Sequence, residues 1–368
     1  MSYQSIDKMQ NLLSETVFSH TESPKKAAGR ALGTIIEIIS FYMLKAWGHE
    51  YEIAIEKPLP EYANQDITHN VEFTFHRSNF IKKLSVPVGN SITSTEIFKT
   101  AELSKKFQKL STSRNLIKDG IIKNACTVAH SESSFCNAYL SLDRNNIFLY
   151  ELENNPFAMF ECKRVGVEEG NKKGPQTIEK AKQGAYVART VSSIQRVRLS
   201  DGRVAGVAEY NGNLESFNDY DSFIEKAVLE LNAAILKRFI LTVGIVSNHG
   251  NWFTSNKQNK EIKVLAQSYD WLMFLSDNGL TSFIQNILLS NNSKFEIVKN
   301  AFQQSYIKNK KVNKFTKTNI DIDADKILTE YFINNINEIQ TWFNIISPKE
   351  KNIEILKMML NKLRKLEV

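Results

Sequence analysis

The sequence predicts an α/β fold, in which strands and helices alternate over the first two thirds of the chain and helices dominate from about residue 257. Three observations carry this. Two short apolar runs, Phe157–Cys162 and Phe239–Val246, have the length of fully buried strands. Stretches between and before them place apolar residues at helical spacing, as with Phe223, Ala227, Leu231 and Ile235. The last third is rich in Asn and Lys and reads mostly as helix. With 368 residues, 42% of them hydrophobic, the chain can bury one large core or two smaller ones.

Taken in order, residues 3–19 carry Ile6, Met9, Leu12, Leu13 and Val17 on one helical face. Ser23-Pro24 marks the start of a second helix, since proline suits the first turn, and Gly48 is its stop after Trp47. The middle of that helix, Thr34 to Phe41, is apolar except for Glu37. That carboxylate needs a partner, either a salt bridge or a functional site. Short strands follow at Tyr51–Ile55 and Val71–Phe75, the second with Val71, Phe73 and Phe75 on one face. Glu96–Leu110 reads as a helix ending in Lys105, Lys106 and Lys109, and Arg114, Lys118 and Lys123 continue the positive charge.

Residues 130–142 read as loop and Ile147–Leu152 as strand, with turn chemistry at Glu153-Asn154-Asn155-Pro156 leading into the apolar run. After Lys163 comes a glycine-rich charged loop, residues 166–175, then a helix over 176–194 with Lys180, Lys182 and Arg189. Arg196 and Arg198 lie just beyond it. A helix over 219–237 precedes the second buried strand, and helices are predicted over 260–275, 281–289, 295–307, 324–346 and 349–366.

The formal net charge of +7 favours a polyanionic partner. No apolar run approaches the roughly 18–20 residues of a membrane span, and the N-terminus lacks the layout of a signal peptide. Cys126, Cys136 and Cys162 form no close pair, which fits reduced thiols and a cytoplasmic location. The six histidines show no metal-pair spacing. Phosphate-binding, dinucleotide-binding and nucleophile-elbow glycine motifs are all missing.

The chemistry gathers at Glu161 and Lys163. Two apart on a strand, they share a face at its carboxyl end, where neither charge is cheap to hold without a ligand. Hydrolysis of a phosphodiester needs an activated water and neutralisation of developing charge. A hard divalent ion on one or two carboxylates supplies both, and a nearby lysine positions the water. The missing part is a second acid on an adjacent strand. A turn centred between Glu153 and Asn154 sets Asp143 opposite residue 164, so that a stagger or bulge brings it towards Glu161. Glu151 is the rival acid, but it lies near that turn.

Asp143, then Glu161, then Lys163 resembles the PD-(D/E)xK signature of type II restriction endonucleases, with Leu142 standing where that family has proline. The resemblance implies a mixed central β-sheet flanked by helices and Mg²⁺-dependent cleavage of double-stranded DNA. It also implies a homodimer on a palindromic site, with a cognate methyltransferase acting on the same site. By it Asp143 and Glu161 are metal ligands, Lys163 positions the water, and Glu37 is the counterpart of a first-helix glutamate found in several relatives. Lys172, Lys173, Lys180, Lys182, Arg189, Arg196 and Arg198 are then phosphate contacts along one wall of a cleft. The expected division is a nuclease core over 1–256 and a helical region over 257–368 for DNA recognition or dimerisation. Two other readings stay open: a repair or recombination nuclease of the same fold, and a basic DNA-binding protein without catalysis.

Overall fold

A computed structural model describes residues 6–86, 91–165, 184–210, 212–248, 260–306 and 313–366. The fold is mixed α/β, with a mixed sheet flanked by helices, as the sequence predicts. The chain forms two compact units, each assembled from three segments. One comprises Met1–Ile55, His76–Asn154 and Asp277–Trp342; the other comprises Glu56–Phe75, Asn155–Ser276 and Phe343–Val368. The expected boundary at 256/257 is therefore not where the chain divides, because the last third contributes to both units.

In the first unit the helix Pro24–Leu44 begins with proline in its first turn and runs into a wider turn at Lys45–His49, where Gly48 takes φ 87°. It buries residues on nearly every side, from Ala28 and Leu32 to Tyr42 and Leu44. With its following turn it is long and apolar enough to span a membrane, contrary to the expectation, yet two thirds of its most apolar window is buried inside the protein. A helix apolar all round is what a core helix requires.

Near its end, Tyr42 donates to Asp325 Oδ1 at 2.8 Å, Lys45 Nζ lies 3.5 Å from the same oxygen, and Arg144 Nη2 lies 2.9 Å from Oδ2. Burial pushes Asp325 up, but the charges of Lys45 and Arg144 and the tyrosine hydrogen bond outweigh it and hold the carboxyl below its ordinary range. The thiols of Cys126 and Cys136 are pushed up by burial to about 11 and about 12, so both are inert packing groups.

The strand Ser134–Leu140, every residue of it buried, pairs antiparallel with the start of the strand Asn146–Val165, with Leu140 opposite Ile147. Both findings correct the sequence reading. Most of the loop expected over 130–142 is strand, and the tight turn lies at residues 141–145 instead of 153–156. Glu153-Asn154-Asn155-Pro156 passes through as extended chain. Asn154 N–H donates to Ser133 O and its side-chain amide to Glu132 O, so neighbouring backbone holds straight a segment whose composition favours a turn. The helix expected over Glu96–Leu110 is shorter, Ser94–Thr100, fixed at its start by the Thr93/Glu96 capping box.

The helix Asp277–Phe283 carries Gly279, whose missing side chain makes room for a neighbour. A Cβ there would lie 2.3 Å from Trp342 Cβ and 3.1 Å from Trp342 Cα. Backbone cannot yield as a flexible side-chain tip does, so Gly279→Ala is expected to destabilise by about 1–3 kcal/mol. Chemical denaturation measures this; an unchanged midpoint would mean that the helix does not seat against Trp342.

In the second unit the strand Ala158–Val165 runs parallel to Leu241–Asn248, which runs parallel to Trp271–Leu275; Phe343–Ser347 closes that side antiparallel. The last two were read as ends of helices over 260–275 and 324–346. Trp271–Leu275 is buried at all five positions, and a short run buried on every side carries no periodicity to separate strand from helix. A helical segment over 184–190 and the helix Lys260–Ala266 share a core with Met159, Val165, Val246 and Tyr269. Gln195–Arg198, Val204–Tyr210 and Asn213–Phe217 make a separate three-stranded antiparallel sheet.

Candidate functional site

Glu161 lies on the second-unit half of the long strand, with Lys163 two residues on and Met159 two residues before it. Met159 and Val165 belong to the core shared with the 184–190 helical segment, so the alternation puts Glu161 and Lys163 on that helix-covered face. The parallel neighbour of Glu161 is Gly244. A Cβ on Gly244 would lie 2.7 Å from the ring of Tyr269, so glycine here lets that ring lie close over the strand. Gly184 does the same at the start of its helical segment, where a Cβ would lie 2.5 Å from Tyr269 Oη and 3.8 Å from Glu161 Cγ. Two glycines thus pack an aromatic ring and a helix start around one carboxylate.

The carboxylate is accordingly desolvated: its side chain is 9% exposed, while that of Lys163 is 33% exposed. Lys163 Nζ lies 2.7 Å from Glu161 Oε1, and the backbone N–H of Glu72 donates to Glu161 Oε2 at 3.2 Å. Burial dominates and raises the Glu161 carboxyl above its ordinary range; the charge and hydrogen bond of Lys163 pull it back only in part. Tyr269, fully buried, is pushed far up by burial and further by the charge of Glu161. An acid held this way gains from any cation that reaches it.

The residue whose backbone meets Glu161 is itself an acid, Glu72, 89 residues upstream and immediately before the strand Phe73–Ser85. One of its carboxylate oxygens is buried. Sequence reasoning demanded an acid on an adjacent strand but looked for it in the preceding hairpin.

Asp143 is fully exposed in the 141–145 turn. The Ser141 hydroxyl and the Asn145 N–H donate to it and hold its carboxyl below the ordinary range. The hairpin meant to carry it towards Glu161 is not formed, and the two residues belong to different units. Glu37 makes the salt bridge that its apolar surroundings called for, with Lys317 Nζ at 3.1 Å. Glu151 accepts from Ser134 Oγ and pairs with Lys106. Lys172, Lys173, Lys180 and Lys182 lie outside the described residues. Arg189 and Arg198 are exposed. Arg196 is mostly buried: its Nη2 lies 2.9 Å from Asp270 Oδ1 and its guanidinium sits 4.4 Å from the centre of the Tyr220 ring. It is committed to an internal ion pair, which a strand-end position in sequence does not disclose.

A hard divalent ion that keeps several waters takes one or two protein carboxylates, of which Glu161 offers one. Among the described residues, no group of three or more His, Cys, Asp or Glu is placed to hold a metal ion. A metal held by Glu161 would be completed by other oxygens, water and substrate included. Comparisons with protein-family models, with curated proteins and with solved structures found no match to this chain.

Proposed function

We propose that the chain is a type II restriction endonuclease of the PD-(D/E)xK kind, hydrolysing phosphodiester bonds in double-stranded DNA with Mg²⁺. One observation carries the reading. A desolvated glutamate at the carboxyl end of a buried strand is gripped by a lysine two residues on and by the backbone of a second acid on the neighbouring chain segment. Glu161 and Glu72 would hold the ion, which when bound supplies the activated water and neutralises charge on the phosphate. Lys163, the more exposed of the Glu161–Lys163 pair, reaches towards solvent, where it orients the water and stabilises the phosphate oxygens. Tyr269 and the start of the 184–190 helical segment keep bulk water from one side of Glu161, which strengthens its hold on a cation. Asp143 and Glu37 drop out of this proposal, and Glu72 takes the place first assigned to Asp143. A homodimer cutting a palindromic site, protected by a cognate methyltransferase, belongs to the same reading.

Incubation of plasmid DNA with the protein and Mg²⁺ tests it. Discrete fragments are expected. Random nicking would favour a repair or recombination nuclease, and DNA binding without cutting would leave a basic binding protein in which Glu161 and Lys163 merely pair. Lys163→Ala and Glu72→Gln are each expected to lower cleavage about 10²–10³-fold while leaving DNA binding largely intact. If Glu72→Gln cuts at the parent rate, the second ligand is elsewhere.

A further inference from the structure

A cavity of about 250 Å³ opens in the second unit, lined by Arg189, Ser192, Gln195, Arg198, Gln267 and Asp270 among others. Its floor is a finished polar network. Asp270 accepts from Tyr220 Oη at 2.6 Å, Thr242 N–H at 2.7 Å, Thr242 Oγ1 at 2.8 Å and Arg196 Nη2 at 2.9 Å. The carboxylate is 5% exposed, so the charge of Arg196 is neutralised from within and the floor is rigid. The rim is different. Arg189, from the 184–190 helical segment, and Arg198, from the strand Gln195–Arg198, are exposed and bring two further positive charges to the opening. Ala188, Ile194 and Val204 add an apolar wall, while Ser192, Gln195, Gln267 and Ser268 add hydroxyl and amide groups.

We propose that this cavity is a nucleotide-binding site, taking one nucleoside monophosphate unit with its phosphate held by Arg189 and Arg198. Guanidinium forks match phosphate oxygens, and both side chains stand exposed on the lining of the cavity. A lone phosphate is only a few waters in size and fills a fraction of this space, whereas the volume falls just below that of drug-sized ligand sites, roughly 300–1,000 Å³, as suits a smaller ligand. The mixed apolar and amide lining suits a base, which presents a flat apolar face and hydrogen-bonding edges. The site adjoins Glu161 through the protein's own chain: Thr242 pairs with Met159, two residues before Glu161, and Asp270 follows Tyr269. The inference goes beyond cleavage and does not require it, since the lining contains neither Glu161 nor Lys163.

Calorimetric titration of the full chain with each of the four deoxynucleoside monophosphates, with inorganic phosphate, and with a short single-stranded oligonucleotide tests the proposal. Saturable binding of at least one mononucleotide is expected, about tenfold or more tighter than inorganic phosphate. Arg189→Ala and Arg198→Ala, both at exposed positions, should each weaken it about tenfold, and Glu161→Gln should leave it unchanged. A preference for the oligonucleotide would assign the site to a nucleotide of a strand, and a preference for the mononucleotide to a free ligand. No saturable binding, binding no tighter than phosphate, or binding lost in Glu161→Gln but kept in the arginine variants would each overturn it. Loss of plasmid cleavage alone has no bearing on this outcome, so the two proposals fail separately.

Discussion

Glu161→Gln is expected to abolish Mg²⁺-dependent cleavage, by about 10³-fold or more, and at the same time to make the metal-free protein more stable at alkaline pH. Both effects come from the same burial. A carboxylate that is 9% exposed and held by one ammonium and one backbone N–H is costly to ionise, and its acid form is favoured. Its folded-state pKa is raised, so the folded protein holds this proton more tightly than the unfolded chain does. That contribution to stability is complete below the ordinary glutamate range and is lost as pH rises through the raised folded value. Above that point the parent carries an ionised, desolvated carboxylate and the glutamine variant does not. The difference in melting temperature between variant and parent should therefore widen with increasing pH and close in acid. Added Mg²⁺ should stabilise the parent and not the variant, since only the charged carboxylate gains from the ion. A variant that still cuts sinks the proposed site; a stability difference independent of pH sinks the account of the buried charge.

Asp325→Ala is expected to cost about 3–5 kcal/mol, the largest loss of stability among the substitutions considered. The residue sits at 2% exposure between Lys45 and Arg144 and accepts from Tyr42. Removing it leaves Arg144 without this carboxylate and the Lys45 ammonium, itself only 7% exposed, with Glu50 alone at 3.3 Å. The folded pKa of Asp325 is depressed, so its contribution is present above the ordinary aspartate range and disappears as pH falls through the depressed value. Urea denaturation near neutral pH measures the loss. A parent and variant that remain equally far apart at low pH would contradict the ion-pair explanation and point to lost packing instead.

The α/β class was legible in the sequence because it rests on local patterns. The runs Phe157–Cys162 and Phe239–Val246 are too apolar and too short to be anything but buried, and both are strand at their centres. Ser23-Pro24 and Gly48 punctuate the first long helix because proline and glycine act through their own backbone geometry. Where a choice depended on neighbours, sequence reasoning failed in an understandable way. Trp271–Leu275 is buried on all sides and so looks alike as helix or strand, while Glu153–Pro156 has turn residues held straight by contacts with Glu132 and Ser133.

The candidate site divides along the same line. Glu161 and Lys163 were visible from sequence alone, since two charges ending an apolar strand need no partner to look anomalous. Glu72 was not, because its backbone meets the Glu161 carboxylate only through a hydrogen bond across 89 residues of chain. Asp143 was near in sequence and went into a turn; Glu37 was conspicuous and found Lys317. The sequence by itself determined which strand ends in a charged pair and that the pair must be held by something. Only the tertiary structure decided what stands beside it, because a strand's neighbours are chosen by the packing of the whole unit and not by the residues next to it in the chain.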